Sequence, residues 1–246
     1  MMQIRDLTVV SLPNEQCFVT AVDISASIGE KEHDVLKVPP ELTGKLTARV
    51  ALLEVLASGA DVIAISDVVG AEMNPTGRRI LQGIQEELHQ AGLAHLELNG
   101  STEENMETSQ TSVGVFVTGY SLRQQLKLNN IESNATLLGL GEPIVGKELL
   151  EKPHLEVSYK LVRELVKRQD VLELVPVGSK GIRYEAYNLA DLNGCYYTEI
   201  ADCDQEWLEK SAGPATALIV AVRNEAVTIF MKSYPEAYML GRLEKK

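Results

Sequence analysis

The stretch PELTGKLTARVALLEVLASGADVIAISDVV, Pro40 to Val69, decides how this chain reads. Pro39-Pro40 opens a helical pattern, with Leu42, Leu46, Val50, Leu53 and Leu56 recurring at three- and four-residue spacing. Gly59 stands where a helix stop belongs, and Asp61 to Val69 follows at once as an apolar strand. A helix feeding a strand through so short a link sets an α/β unit, and the flanking segments extend it.

Upstream, Leu7 to Leu12 and Phe18 to Ile24 are β-branched runs separated by Pro13-Asn14, an antiparallel pair. Downstream, Pro75 and Gly77 precede a second helix, Arg78 to Ala91, closed by Gly92. Leu93 to Leu98 reads as a strand, Gly100 to Thr111 as a polar loop and Val113 to Thr118 as another strand. Helices then lie against one face of a mixed sheet. A soft boundary falls where Gln, Lys and Asn accumulate, around 121–134, giving an N-terminal domain 1–125 and a short C-terminal α/β domain 126–246. In the latter the pattern predicts a Gly-rich turn (Gly139, Gly141, Gly146), a helix over Val157–Lys167 and a strand over Leu172–Val177. A Gly178-Ser-Lys-Gly181 loop leads into a further helix, and strands follow at Ala217–Val222 and Val227–Met231.

With 246 residues, 45% of them hydrophobic, the chain can bury a sizeable core. Its formal net charge of −12, with no Lys/Arg cluster to offset it, disfavours nucleic acid and anionic lipid as partners. Carboxylates that hold Mg²⁺ reverse that logic locally, so ATP stays open. Met1 to Asp6 carries charge at once and predicts no signal peptide, and no apolar run is long enough to span a bilayer. Cys17, Cys195 and Cys203, odd in number and without CxxC spacing, predict reduced thiols in a cytoplasm. His33, His89, His95 and His154 are scattered and make no zinc site.

The polar segment Asn99-Gly-Ser-Thr-Glu-Glu-Asn-Met-Glu-Thr-Ser-Gln-Thr111 joins two apolar runs. It is far longer than a usual connector and is filled with oxygen donors, which suits a hard cation with phosphate. A solvated loop has the same composition, and both readings stand at this point. Asp23 ends an apolar strand and Asp6 begins the one expected beside it, so the two could share Mg²⁺. Glu54, amid Leu52-Leu53 and Val55-Leu56, lies at the margin of a buried stripe, where a carboxylate needs a partner or a metal unless water reaches it. Gly141-Glu-Pro-Ile-Val-Gly146-Lys147-Glu148 fails as a P-loop, because Glu148 has no hydroxyl for Mg²⁺ and Pro143 removes an N–H. Lys180 could add charge at a helix start that favours anions.

These pieces in this order resemble the superfamily of AIR synthase, thiamine-monophosphate kinase and selenophosphate synthetase over about residues 5–120. Ile4-Arg-Asp-Leu-Thr-Val resembles the family's Gly-Asp-Asp-Ala-Ala-Val segment. Thr20-Ala-Val-Asp23 is similar to its strand ending in a metal-binding Asp. Leu53-Glu-Val-Leu-Ala-Ser-Gly-Ala60 is similar to Ser-Asp-Leu-Ala-Ala-Met-Gly-Ala, and Leu98-Asn-Gly-Ser-Thr-Glu-Glu-Asn105 stands where the family has Gly-Gly-Asp-Thr. The resemblance implies an AIR synthase-like fold with an abridged second domain, and homodimers whose N-terminal sheets close a shared barrel. It implies Mg²⁺ on Asp6, Asp23 and Glu54 with Glu103 or Glu104, and ATP and phosphate positioned by Ser101, Thr102, Asn105, Thr108 and Gln110. Which of Thr102, Glu103 and Glu104 replaces the family's loop Asp stays open. The Gly-Ser-Thr-Glu-Glu-Asn motif, with Thr108 and Gln110-Thr111, the Pro-Val-Gly-Ser-Lys-Gly-Ile loop and the compact size look most like the α-ribazole kinase branch. That branch implies phosphorylation of the 5′-hydroxyl of the nucleoside α-ribazole, in salvage of the cobalamin lower ligand. Another ATP-dependent reaction of the superfamily, such as thiamine-monophosphate phosphorylation, and a non-catalytic nucleotide sensor are the alternatives.

Overall fold

The computed structural model describes residues 1–152, 156–200 and 204–246. Cys203 and His154 lie outside the described residues. Contacts divide the chain into one unit of Met1–Leu56 with Ala60–Gln124, and another of Ala57–Gly59 with Gln125–Lys246.

The first unit contains β1 (Met2–Ile4), β2 (Leu7–Ser11), β3 (Gln16–Ala26), β4 (Ile28–Gly29), β5 (Leu36–Lys37), α1 (Pro40–Ala57), β6 (Asp61–Val69), α2 (Arg78–Gln90), β7 (Leu98–Thr102) and β8 (Ser112–Leu122). Six strands make one sheet in the order β1-β2-β3-β8-β6-β7, while β4 and β5 pair apart from it. Neighbours run antiparallel except β6 and β7, which are parallel. In β3 the period of two is plain: Cys17, Val19 and Ala21 are buried, while Phe18, Val22 and Ile24 are exposed. In α2, Ile80, Ile84 and Leu88 form a buried stripe at four-residue spacing.

The helices meet closely. A Cβ on Gly83 would lie 1.8 Å from the carbonyl oxygen of Glu41, so α2 approaches the start of α1 only because residue 83 lacks a side chain. Nearby, Arg49 of α1 donates to Glu87 of α2 at 3.3 Å, and both side chains are buried.

The second unit contains β9 (Ala135–Gly141), α3 (Lys147–Glu151), α4 (Tyr159–Lys167), β10 (Val171–Pro176), α5 (Gly181–Leu192), β11 (Cys195–Glu199), α6 (Gln205–Glu209), β12 (Ala217–Arg223), α7 (Val227–Ser233) and β13 (Tyr238–Lys245). Its sheet, in the order β10-β12-β9-β13-β11, is antiparallel throughout. Val175 and Ile219 join Ile182, Ala186 and Leu189 of α5 in the core. Every residue of β10 is buried, as when both faces of a sheet are covered.

Three local expectations change. Val227–Met231 is the helix α7, because β-branched composition yields to the packing of Phe230. The strand expected over Leu93–Leu98 begins only at Leu98 and runs on to Thr102, inside the expected loop. It pairs with Ile65–Val69 at the sheet edge, and its polar side chains show no apolar alternation. Gly139 and Gly141 form no turn; they are paired in β9 with Ile219 and Ala217.

Candidate functional site

Registered strands set out three rows on the helix-covered face of the first sheet. Side chains directly opposite on neighbouring strands share a face. Ala21, Val117, Ile65 and Leu98 form an apolar row. The next is Asp23, Val115, Asp67 and Gly100, and the third is Ser25, Val113, Val69 and Thr102. Thr47 of α1 donates to the Ser25 hydroxyl at 2.8 Å, fixing the helix over the third row.

Asp23 carries a carboxyl pushed well above its ordinary range. Burial pushes its carboxyl up to about 6, against a hydrogen bond from the Ile24 backbone, and the charge of Asp6 adds to the rise. Asp6, exposed in the turn between β1 and β2, is therefore close to it electrostatically. Two carboxylates that repel each other, with no ion pair among the described residues to relieve Asp23, suit a hard cation. Mg²⁺ needs only one or two protein carboxylates when phosphates and water complete its shell, so the pair fits the ion.

The other expected ligands are placed differently. Glu54 is buried on α1. Glu103 turns back on its own loop, accepting from the Asn105 and Met106 N–H groups at 2.7 and 3.1 Å. Those bonds, Asn105's first, hold its carboxyl below the usual range. Glu104 accepts from the Met73 N–H at 2.7 Å and the Thr102 hydroxyl at 2.8 Å. Among the described residues no three His, Cys, Asp or Glu side chains gather as a metal cage.

The end of the loop is tied to the segment His33-Asp34. Gln110 donates to the His33 carbonyl at 3.0 Å. Thr111 is held through its N–H and hydroxyl, each 2.7 Å from Asp34. Ser101 and Asn105 are exposed, whereas the Thr108 hydroxyl is buried without a hydrogen-bond partner, an orphan that a ligand oxygen would satisfy.

Beside the loop lies a cavity of about 260 Å³ lined by Glu30, Lys31, Glu72, Thr76, Arg79 and Thr111. Lys31 donates to Glu72 at 2.6 Å and to the Thr108 carbonyl at 3.0 Å. Burial works to raise the Glu72 carboxyl, but hydrogen bonds from Lys31 and Thr76 outweigh it and hold the group at about 2. Sequence reasoning passed over Lys31, Asp34, Glu72 and Arg79, none of which belongs to a motif it weighed. It also passed over Asp67, although a lone acid in an apolar run is the signal that singled out Glu54.

In the second unit, Lys180 sits at the start of α5 with its ammonium 4.2 Å from the Tyr184 ring centre and 3.1 Å from that hydroxyl. The failed P-loop segment ends in the five-residue α3, and Glu148 pairs with Lys152 and Lys210. Cys17 and Cys195 are free and buried. No helix among the described residues is long and apolar enough to cross a membrane.

Residues 5–121 match the family model described as AIR synthase related protein, N-terminal domain. Comparison with curated proteins returned no match. The fold is shared with solved structures of low sequence identity. AaThiL complexed with AMPPCP and TMP superposes with a TM-score of 0.69 at 12% identity, covering 98% of this chain and 85% of that one. Thiamine monophosphate kinase from Aquifex aeolicus gives 0.65 at 14% identity, over 99% and 90%. T. maritima PurL complexed with ATP gives 0.66 at 14% identity; 98% of this chain spans 42% of that protein.

Proposed function

We propose, on the match of residues 5–121 to the AIR synthase related N-terminal domain, that this chain is a Mg–ATP-dependent kinase of a small-molecule alcohol. The observation that carries the reading is Asp23, half-buried within β3, with the charge of Asp6 raising it further and no cation paired to it among the described residues. Mg²⁺ held there would neutralise charge on the ATP phosphates. Phosphoryl transfer through a loose transition state asks the protein mainly to position and to neutralise, so no covalent intermediate on the chain is required. Ser101, Thr102, Asn105, Thr108 and Gln110 surround the phosphates in this reading, and the orphaned Thr108 hydroxyl supplies one donor.

The acceptor we propose is the 5′-hydroxyl of α-ribazole, on the strength of the Gly100-Ser-Thr-Glu-Glu-Asn105 segment. A neutral nucleoside needs no cluster of cations, which suits the acidic balance of the chain. Phosphorylation of thiamine monophosphate is the second reading, favoured by the AaThiL likeness. The exposed apolar side chains Phe18, Val22, Ile24, Val68 and Phe116 lie on the open face of the first sheet, and we assign them to a homodimer contact. A cytoplasmic setting accords with the unpaired Cys17 and Cys195.

The test is an ADP-release assay with Mg–ATP and, in turn, α-ribazole, thiamine monophosphate, common nucleosides and aminoimidazole precursors. Turnover with α-ribazole supports the assignment, and turnover with thiamine monophosphate alone moves it to the second reading. Thermal stabilisation by Mg–ATP without turnover of any acceptor leaves a nucleotide sensor.

A further inference from the structure

Asp67 is 3% exposed, and among the described residues its side chain makes no hydrogen bond or ion pair. Burial alone pushes its carboxyl above the ordinary range. A carboxylate removed from water without a partner is costly, and folds keep one when a cation or a proton completes it.

The surroundings favour a cation. Asp67 lies in the same row as Asp23, one strand beyond Val115, on the same face of the sheet. On its other side is Gly100 of β7. A Cβ at residue 100 would lie 2.4 Å from Cγ and from both carboxylate oxygens of Asp67. The carboxylate therefore occupies the space that the glycine leaves open. Gly100 is exposed at the sheet edge and leads directly into Ser101, Thr102 and the polar loop.

We propose that Asp67 is an outer-sphere carboxylate for a divalent cation of this chain, acting beside Asp23. Two strand spacings separate the Cα atoms of Asp23 and Asp67 by roughly 10 Å. Across that span, with Val115 between the two acids, Asp67 accepts from the waters that the ion keeps. The inference rests on the magnesium–nucleotide reading but concerns a residue that reading does not use.

The experiment compares wild type, Asp67→Asn and Asp23→Asn as full chains, with Mn²⁺ alone as the probe. Two readouts are melting temperature, in chelator and in saturating Mn²⁺, and Mn²⁺ affinity by calorimetry. In chelator, Asp67→Asn should melt above wild type, because an unpaired buried carboxylate has gone. In Mn²⁺ the wild type should gain more, narrowing or reversing the order, and the variant's Mn²⁺ affinity should fall by about ten- to a hundredfold. Unchanged Mn²⁺ affinity in Asp67→Asn, alongside a loss in Asp23→Asn, overturns the Asp67 assignment and leaves the kinase reading intact. A wild type that binds neither Mn²⁺ nor Mg–ATP overturns both. If Asp67→Asn does not fold, Asp67→Ser, smaller and uncharged, supports the same comparison.

Discussion

Asp23 and Asp67 flank Val115 in a single row of the N-terminal sheet, two acids on one face with a valine between them. Neither is paired with a base among the described residues, and burial raises both carboxyls. That arrangement carries a cost in the metal-free chain, which the first prediction measures.

Asp23 titrates at about 6 in the folded chain against an ordinary value of 3.8. A raised folded value means that its contribution to stability is complete below 3.8 and is lost as pH rises through 6. The gap corresponds to about 3 kcal/mol. Urea unfolding in chelator, at steps from pH 3.5 to about 7, should therefore show wild type losing stability relative to Asp23→Asn by roughly that amount. Parallel curves for the two proteins would remove the cost from Asp23.

Turnover should respond in the opposite direction. With Mg–ATP and a working acceptor, Asp23→Asn should lose activity while keeping its far-ultraviolet circular dichroism. A loss of charge-assisted binding on the order of 2–3 kcal/mol corresponds to a hundredfold or so in kcat/KM. Near-normal kinetics with unchanged Mg²⁺ dependence would take Asp23 out of the site.

Lys180 separates the acceptors. Its ammonium already rests against Tyr184. With neutral α-ribazole, Lys180→Ala should raise KM only modestly. With thiamine monophosphate, losing a cation that meets a phosphate should cost about 1.5–3 kcal/mol. Steady-state kinetics on both acceptors decide between them.

Phe116 tests the homodimer. It is 39% exposed, opposite Val22 on β3, whose exposure is 52%. A charge placed in that patch should dissociate a dimer that buries it, while the helix-covered core is untouched. Sedimentation of Phe116→Asp should give a monomer at concentrations where wild type is a dimer. A monomeric wild type would rule the contact out.

Gly83→Ala probes the helix crossing. The new methyl would meet the Glu41 carbonyl at 1.8 Å, so α1 and α2 must separate. Overpacking of this kind costs about 1–3 kcal/mol, visible as a lower urea midpoint with little change in slope. A gain in stability, as expected of alanine in an open helix, would show that the helices part freely.

The sequence alone determined the elements with strong periodicity. Pro40 to Ala57, Asp61 to Val69 and Arg78 to Gln90 fall where apolar spacing, prolines and glycines place them, because those signals act within a turn or two of chain. It also singled out Asp6 and Asp23, since an acid at the end of an apolar run is conspicuous locally. Where a segment's neighbours outweigh its own preference, the sequence was misleading. Val227 to Met231 reads as a strand by composition and packs as a helix, and Leu98 to Thr102 is a strand only because β6 offers it an edge. Only the tertiary structure decided which acids share a row of the sheet. Asp67 meets Gly100 and shares a row with Asp23 through strand register, and register joins residues 44 positions apart in the chain by hydrogen bonds that no local pattern encodes.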